Sequence, residues 1–484
     1  MIHHHGFFSS FQHALRFSIL AAWAFLMLCP RPSFAASGRD KLSGPICGSI
    51  GDFDPALDVR ALDEYQDAVA ALLQQKKFDD LDCLADSARV TKARFSGGAW
   101  QLHNLYLGLS EPRPGHPTEI DWKHHFRLLE DWTSARPRSV TAQIALAESY
   151  VAYGWDARGN GFAGDVSQSG WKLMDQRVEK ARKILERVAR QPVNDPEWYM
   201  AMEQVAQGQS WDIAKCRQLV EEDAALEPGY YYVYRLQAHI LLPRWKGQEG
   251  DAAHFAEDLA SRLGGETGET AYFQIADTVL TIAVDYAEFS HFSWHRLQSD
   301  FALLEKDQGI SLNNLNAYAL MASRAGDFVA AEEAFKRIGE NWDKDVWRTE
   351  TYFQSSKTRA ASLARLTQQK NGMEGEARSN AENPQGAAYK REVEARLSPM
   401  EKDCAERLTP LPPRFELLIL VSTRGDVFSA QSNPLSNPTN PMAQCLFESL
   451  FKPHRTTDAL LPPPPHPKYW LEVDIDPAGI ASAK

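Results

Sequence analysis

The sequence predicts a mainly α protein, a divergent helical-repeat solenoid followed by a small C-terminal α+β domain. Three observations carry this. Between Ala61 and Arg365 apolar residues recur at helical spacing, broken only by short Gly or Pro stretches. Within that run, Gly326-Asp327-Phe328-Val329-Ala330-Ala331-Glu332-Glu333-Ala334-Phe335 has the composition of the second half of a helical hairpin. Its glycine stops one helix, Ala331 lets the next approach closely, and Phe335 fills the groove one turn on. After Pro410 the period changes, and Phe415, Leu417, Ile419 and Val421 alternate as in a strand.

Taken in order, the chain opens with Arg16 before an apolar run from Phe17 to Cys29, then Pro30 and Ser33-Phe34-Ala35-Ala36. A basic flank, a short apolar core and small residues describe a signal peptide, residues 1–35, cut after Ala35. The apolar run is shorter than the roughly 20 residues of a membrane span. Residues 36–60 form an extended leader. The helical domain, 61–366, begins with the stripe Tyr65, Val69, Leu72 and Leu73. A first-helix pattern (Ile144, Ala145, Ala147, Tyr150, Val151) follows Ser139 as N-cap, and its partner helix holds Val178, Ala181, Leu185 and Val188. These hairpins are similar to tetratricopeptide repeats, which implies a concave surface that holds other proteins.

From 367 to 413 Asn, Gln, Gly, Glu and Lys dominate, and the stretch reads as a polar linker with a solvated helix through Lys390–Arg396. Residues 414–476 read strand–strand–helix–strand. Arg424-Gly425-Asp426 forms the hairpin turn, Asn440-Pro441 caps the helix, and Tyr469, Leu471, Val473 and Ile475 form the last strand. Leu418 and Leu420 make the second face of the first strand apolar as well. Residues 477–484 are a tail.

The formal charge of −12 becomes −14 once residues 1–35 are removed, because only Arg16 and Arg31 leave, giving 50 basic against 64 acidic residues. That balance, with no basic cluster interleaved with aromatics, excludes sequence-independent binding to nucleic acid or an anionic membrane. Export permits disulfides. Cys404 with Cys445 is the preferred pair and Cys47 with Cys83 the second, while Cys216 lies on an apolar helix face as a buried thiol.

Gly98-Ala99-Trp100-Gln101-Leu102, Ala157-Arg158-Gly159-Asn160-Gly161, Asp195-Pro196-Glu197-Trp198-Tyr199 and Leu241-Leu242-Pro243-Arg244-Trp245-Lys246-Gly247 resemble the family catalogued as domain of unknown function 4034, over about residues 60–350. The resemblance implies a helical-repeat fold and no known activity. Strand Leu417–Val421, turn Gly425-Asp426-Val427, helix Cys445–Leu450 and the final strand resemble the carboxy-terminal domain of the energy transducer TonB. That implies a docking module.

The candidate binding residues are Trp155, Arg158, Arg244 and Trp245. An Arg beside a Trp can clamp a carboxylate or stack on a ligand. The packing alternative has each Trp plug the edge of the solenoid while its Arg caps helix carbonyls. Glu288, His291 and His295 are spaced for one helix face but lack the adjacent acid of HExxH, so they read as packing residues rather than metal ligands. No GxSxG elbow, phosphate loop or CxxC pair is present, and no catalytic residue or cofactor is expected. The leading expectation is an exported, non-enzymatic adaptor with protein partners in the bacterial envelope. Its solenoid groove holds one partner, and a sheet edge, Tyr469–Ile475 or Phe415–Val421, docks another. The alternative is a small-ligand receptor or enzyme whose Arg/Trp loops converge on one pocket.

Overall fold

The structure, a computed structural model, describes Cys47 and residues 50–482 apart from 114, 116, 160, 162, 191–193, 434–439 and 452–460. The signal-peptide reading and most of the leader therefore lie outside the described residues. The protein is mainly helical, with a small three-stranded antiparallel sheet near the C-terminus. It divides into two compact units, Met1–Ala360 and Ala361–Lys484.

The first unit holds α1 (Ala61–Gln74), α2 (Phe78–Thr91), α3 (Gln101–Ser110), α4 (Glu119–Ala135), α5 (Val140–Arg158), α6 (Gln168–Val188), α7 (Pro196–Gly208) and α8 (Ile213–Leu226). It continues with α9 (Tyr232–Ile240), α10 (Asp251–Leu263), α11 (Gly265–Asp277), α12 (Tyr286–Phe289), α13 (Trp294–Gln308), α14 (Leu312–Ala325), α15 (Phe328–Ile338) and α16 (Lys344–Trp347). The unit boundary falls within α17 (Glu350–Glu382).

Short polar side chains start these helices by accepting the orphan amides of the first turn: Ser139 from Ala142, Ser167 from Gly170, Asp327 from Ala330. Gly326 ends α14 at φ 80°, the left-handed region where a side chain is strained, so α15 can fold back on α14. Ala331 and Phe335 are buried at that hairpin, as the sequence pattern requires.

Two helices have no exposed face. Leu102–Ser110 of α3 and Tyr232–Ile240 of α9 are buried at every position, and other helices wrap them. Segments distant in sequence also close on one another. The Leu312 amide donates to the Pro55 carbonyl at 2.9 Å, Trp100 Nε1 donates to the Gly229 carbonyl at 3.0 Å, and Gly97 sits against Ser311 and Asn314. In an open solenoid each repeat touches only its neighbours, so these contacts lie outside simple stacking.

The second unit corrects three expectations. Residues 367–413 are not a linker: they hold the end of α17 and the whole of α18 (Pro384–Glu406), whose Tyr389, Val393 and Leu397 are buried in the core of the sheet domain. These residues recur every four positions along one stripe, and the polar composition between them conceals it. The sheet, β1 (Phe415–Val421), β2 (Val427–Asn433) and β3 (Tyr469–Ile475), has the order β2-β1-β3. The first strand is thus central, paired on both sides, and Phe415–Val421 offers no edge.

Helix α19 (Pro441–Leu450) lies between β2 and β3 in sequence, and a short helix, α20 (Pro477–Ser482), replaces the expected tail. Leu417, Ile419 and Val421 face the core with Met442 and Leu446 of α19, each buried side chain contributing about 1.5–3 kcal/mol. Leu418, on the other face of β1, is also buried, in keeping with its apolar pattern. Cys404 and Cys445 bond α18 to α19 across 41 residues, a closure contributing about 4 kcal/mol on chain-entropy grounds. Cys47 bonds to Cys83 of α2, and Cys216 is free and buried.

Gly386, in the first turn of α18, shows how close this packing is. A Cβ there would clash with the Asn380 carbonyl oxygen and meet the Tyr469 hydroxyl. Gly386→Ala is therefore expected to destabilise the protein by about 1–3 kcal/mol. Gly372→Ala, in the same helical stretch with nothing within 4 Å of the new methyl, is expected to stabilise by up to about 1 kcal/mol. Thermal melts of the two variants side by side check both values.

Candidate functional site

The last turn of α5 carries Trp155 and Arg158, both nearly buried. The Arg158 guanidinium lies 5.4 Å from the Trp155 ring centre and 5.1 Å from that of Trp171 on α6. Its Nη1 donates to the carbonyls of Gly159 and Gly161, both at 3.0 Å. The loop after α9 brings Trp245 edge-on to Trp155 with ring centres 6.2 Å apart, and the Trp245 Nε1–H donates to His239 Nε2 at 3.0 Å. Burial, reinforced by the Arg244 charge, pushes the His239 pKa down to about 3, so the ring is a neutral acceptor at physiological pH. Arg244 itself is exposed.

The two loops thus meet through their indoles. Arg158 caps carbonyls, which is the packing role, while Arg244 is an exposed residue whose charge is drawn to Asp285.

A larger polar constellation went unread in the sequence. His103 of α3, Glu148 of α5, Glu197 of α7, the preceding N-cap Asp195, and Tyr230 are all buried. His103 Nδ1 lies 3.0 and 2.9 Å from the two Glu197 oxygens, and Tyr230 donates its hydroxyl to the same carboxylate. Burial, then the Glu197 charge, push the Glu148 pKa well above the carboxylate range, so Glu148 is protonated and shares its proton with Glu197. Asp195 accepts from Tyr106 at 2.7 Å and Arg89 at 2.5 Å, while its Oδ1 caps the Glu197 amide at 3.0 Å. Burial raises the Asp195 pKa and the Arg89 charge opposes the rise. The cluster ties α3, α5 and α7 together through buried polar contacts. Asp195-Pro196 was legible as a helix start, but Glu197 needed partners from three other segments.

A second shared proton sits between α11 and α13. Arg296 donates to both Glu269 oxygens at 2.7 and 2.9 Å, and its guanidinium lies 4.1 Å over the Tyr272 ring. Burial, then Glu269, raise the Asp300 pKa to about 9. Glu288 accepts the amides of Gly250 at 2.8 Å and Ala252 at 3.1 Å at the start of α10, and His291 lies 3.2 Å from Glu249. Among the described residues no group of three potential metal ligands comes together.

In the second unit the outer side of β2 is an edge of the sheet. The register slips between Leu420 and Val421, leaving Phe428 as the extra residue of a bulge, 68% exposed. The expected edge Tyr469–Ile475 is the other edge strand, β3, and Asn380 Nδ2 donates to its Trp470 carbonyl at 2.9 Å. No family model matches this chain, nor does any curated protein or solved structure.

The Asp300 shift has a definite sign. The unfolded carboxyl loses its proton near 3.8 and the folded one near 9, so folding binds a proton between those values and stability falls as pH rises through that window. Asp300→Asn, which keeps a neutral donor, is expected to stabilise the protein by about 1–3 kcal/mol at pH 8 and to be near neutral at pH 4. Denaturant midpoints at the two pH values measure the difference.

Proposed function

We propose that the protein is an exported, non-enzymatic docking protein of the bacterial envelope, taking an extended segment of a protein partner along β2. The observation that carries this is the β2 edge with Phe428 projected beside it. An edge strand offers a row of backbone donors and acceptors, and an exposed aromatic beside it supplies a side-chain anchor. The resemblance of residues 414–476 to the TonB carboxy-terminal domain supports a docking role. On this reading the first unit is a divergent tetratricopeptide-like solenoid of the kind that domain of unknown function 4034 implies, closed upon itself. Its inner helices α3 and α9 are buried, which moves docking from an inner groove to outer surfaces.

Export is supported by the two disulfides and by the signal-peptide pattern before Ala36. Among the described residues no helix is long and apolar enough to cross a membrane.

Two measurements test this reading. Mass spectrometry of the mature protein should place its N-terminus at Ala36, and alkylation without reductant should label Cys216 alone, only after unfolding. A cytoplasmic, fully reactive protein would sink the export claim. Phe428→Asp should leave the melting midpoint within about 0.5 kcal/mol of wild type, as an exposed substitution does. The same change should remove one species from cross-linked captures of envelope extract. Identical captures would refute docking at β2.

A further inference from the structure

The Trp155–Trp245 contact belongs to a longer row on the first unit. Trp171 stacks under Arg158, Arg158 reaches over Trp155, and Trp155 meets Trp245. Beyond Trp245 the next residue, Lys246, donates its ammonium to the Trp211 carbonyl, and Lys215 lies 5.9 Å over the Trp211 ring. Trp171, Trp211 and Trp245 are half-buried, so parts of their rings reach solvent, while Arg244, Lys215 and Lys246 are exposed.

The charge along this row opposes that of the whole chain, which is −12. Arg158, Arg244, Lys215 and Lys246 bring four positive groups. Asp285 attracts Arg244, and Asp212 caps α8 next to Lys215. Glu203, the carboxyl acting on Lys246, is buried and held protonated by that burial, so it cancels nothing. Half-exposed indoles flanked by cations that outnumber their carboxylates are the composition of binding hot spots, where tryptophan and arginine carry most of the energy.

We propose that this row is a docking surface for an acidic segment of a protein partner, with carboxylates of the segment on Arg244, Lys246 and Lys215 and its apolar atoms on the indole faces. Charge complementarity selects the occupant: the row is a cationic strip on an acidic protein, which repels anions elsewhere and accepts them here. The surface lies in the first unit and is independent of docking at β2.

The test uses the full mature chain and a synthetic hexaglutamate peptide, followed by tryptophan fluorescence. A saturable fluorescence change is expected, absent with hexalysine and weakened at least tenfold by Arg244→Ala. Raising the salt to roughly 0.5 M should weaken it similarly, because exposed charges are screened. Trp245→Phe should remove most of the signal change. Arg244→Ala should melt with wild type, and should it melt lower, Lys215→Ala provides the same comparison. No saturable change, equal binding of hexalysine, or indifference to both cation substitutions would overturn the proposal.

Discussion

The Glu197 carboxylate is the constraint on which the first unit depends. Burying an ionised carboxyl costs several kcal/mol unless its lone pairs are filled, and here His103, Tyr230 and the Glu148 proton fill them. Those partners come from α3, α5 and the segment before α9. The contacts to Glu197 can therefore all form only when four separate pieces of chain are docked together. Apolar side chains tolerate slippage by a turn, but this constellation does not, so it selects one register among the many that alanine-rich helices allow. The neighbouring Asp195 adds Arg89 and Tyr106 to the same knot.

This also explains why the inner helices are buried on every face. A tetratricopeptide-like hairpin leaves the inner side of its first helix facing a groove. Here α3 and α9 carry buried hydrogen-bonding groups that find partners in other segments of the chain, Asn104 in Gln66 and Arg235 in Thr278. The bond from Trp100, the residue that precedes α3, to the Gly229 carbonyl just before α9 joins the two helices' starts. At the end of α5, Trp155 is buried and Arg158 caps the carbonyls of Gly159 and Gly161.

Local signals were legible in the sequence. Helix caps at Ser139, Asp327 and Asn440 act within three residues, and the Gly326 hairpin needs only its own ten-residue neighbourhood. The pairing of Cys404 with Cys445 could also be read. The rest depended on long-range neighbours. Whether β1 is an edge or a centre is decided by where β3 arrives. Whether Lys390–Arg396 is solvated is decided by the sheet that covers Val393. Trp155 and Trp245 could be nominated together, but which arginine is committed to carbonyls and which stays exposed depends on the path of the loops.

Each unit adds fixings of its own to an apolar core. The first, with a large core, uses polar registration inside that core. The second is smaller, and a smaller unit buries a smaller fraction of its surface on folding. It adds a disulfide between α18 and α19 and an Asn380 clasp on β3, and it places α18 as a second layer against the sheet. The clasp also takes one carbonyl of the β3 edge. With Asn380 on Trp470, β3 is turned toward its own chain, and the bulge at Phe428 interrupts the regular pleat of β2 that indiscriminate edge-to-edge pairing needs. An edge left accessible but irregular favours a segment that can supply a side-chain pocket for Phe428 over any flat strand, which is how an exposed edge acquires specificity.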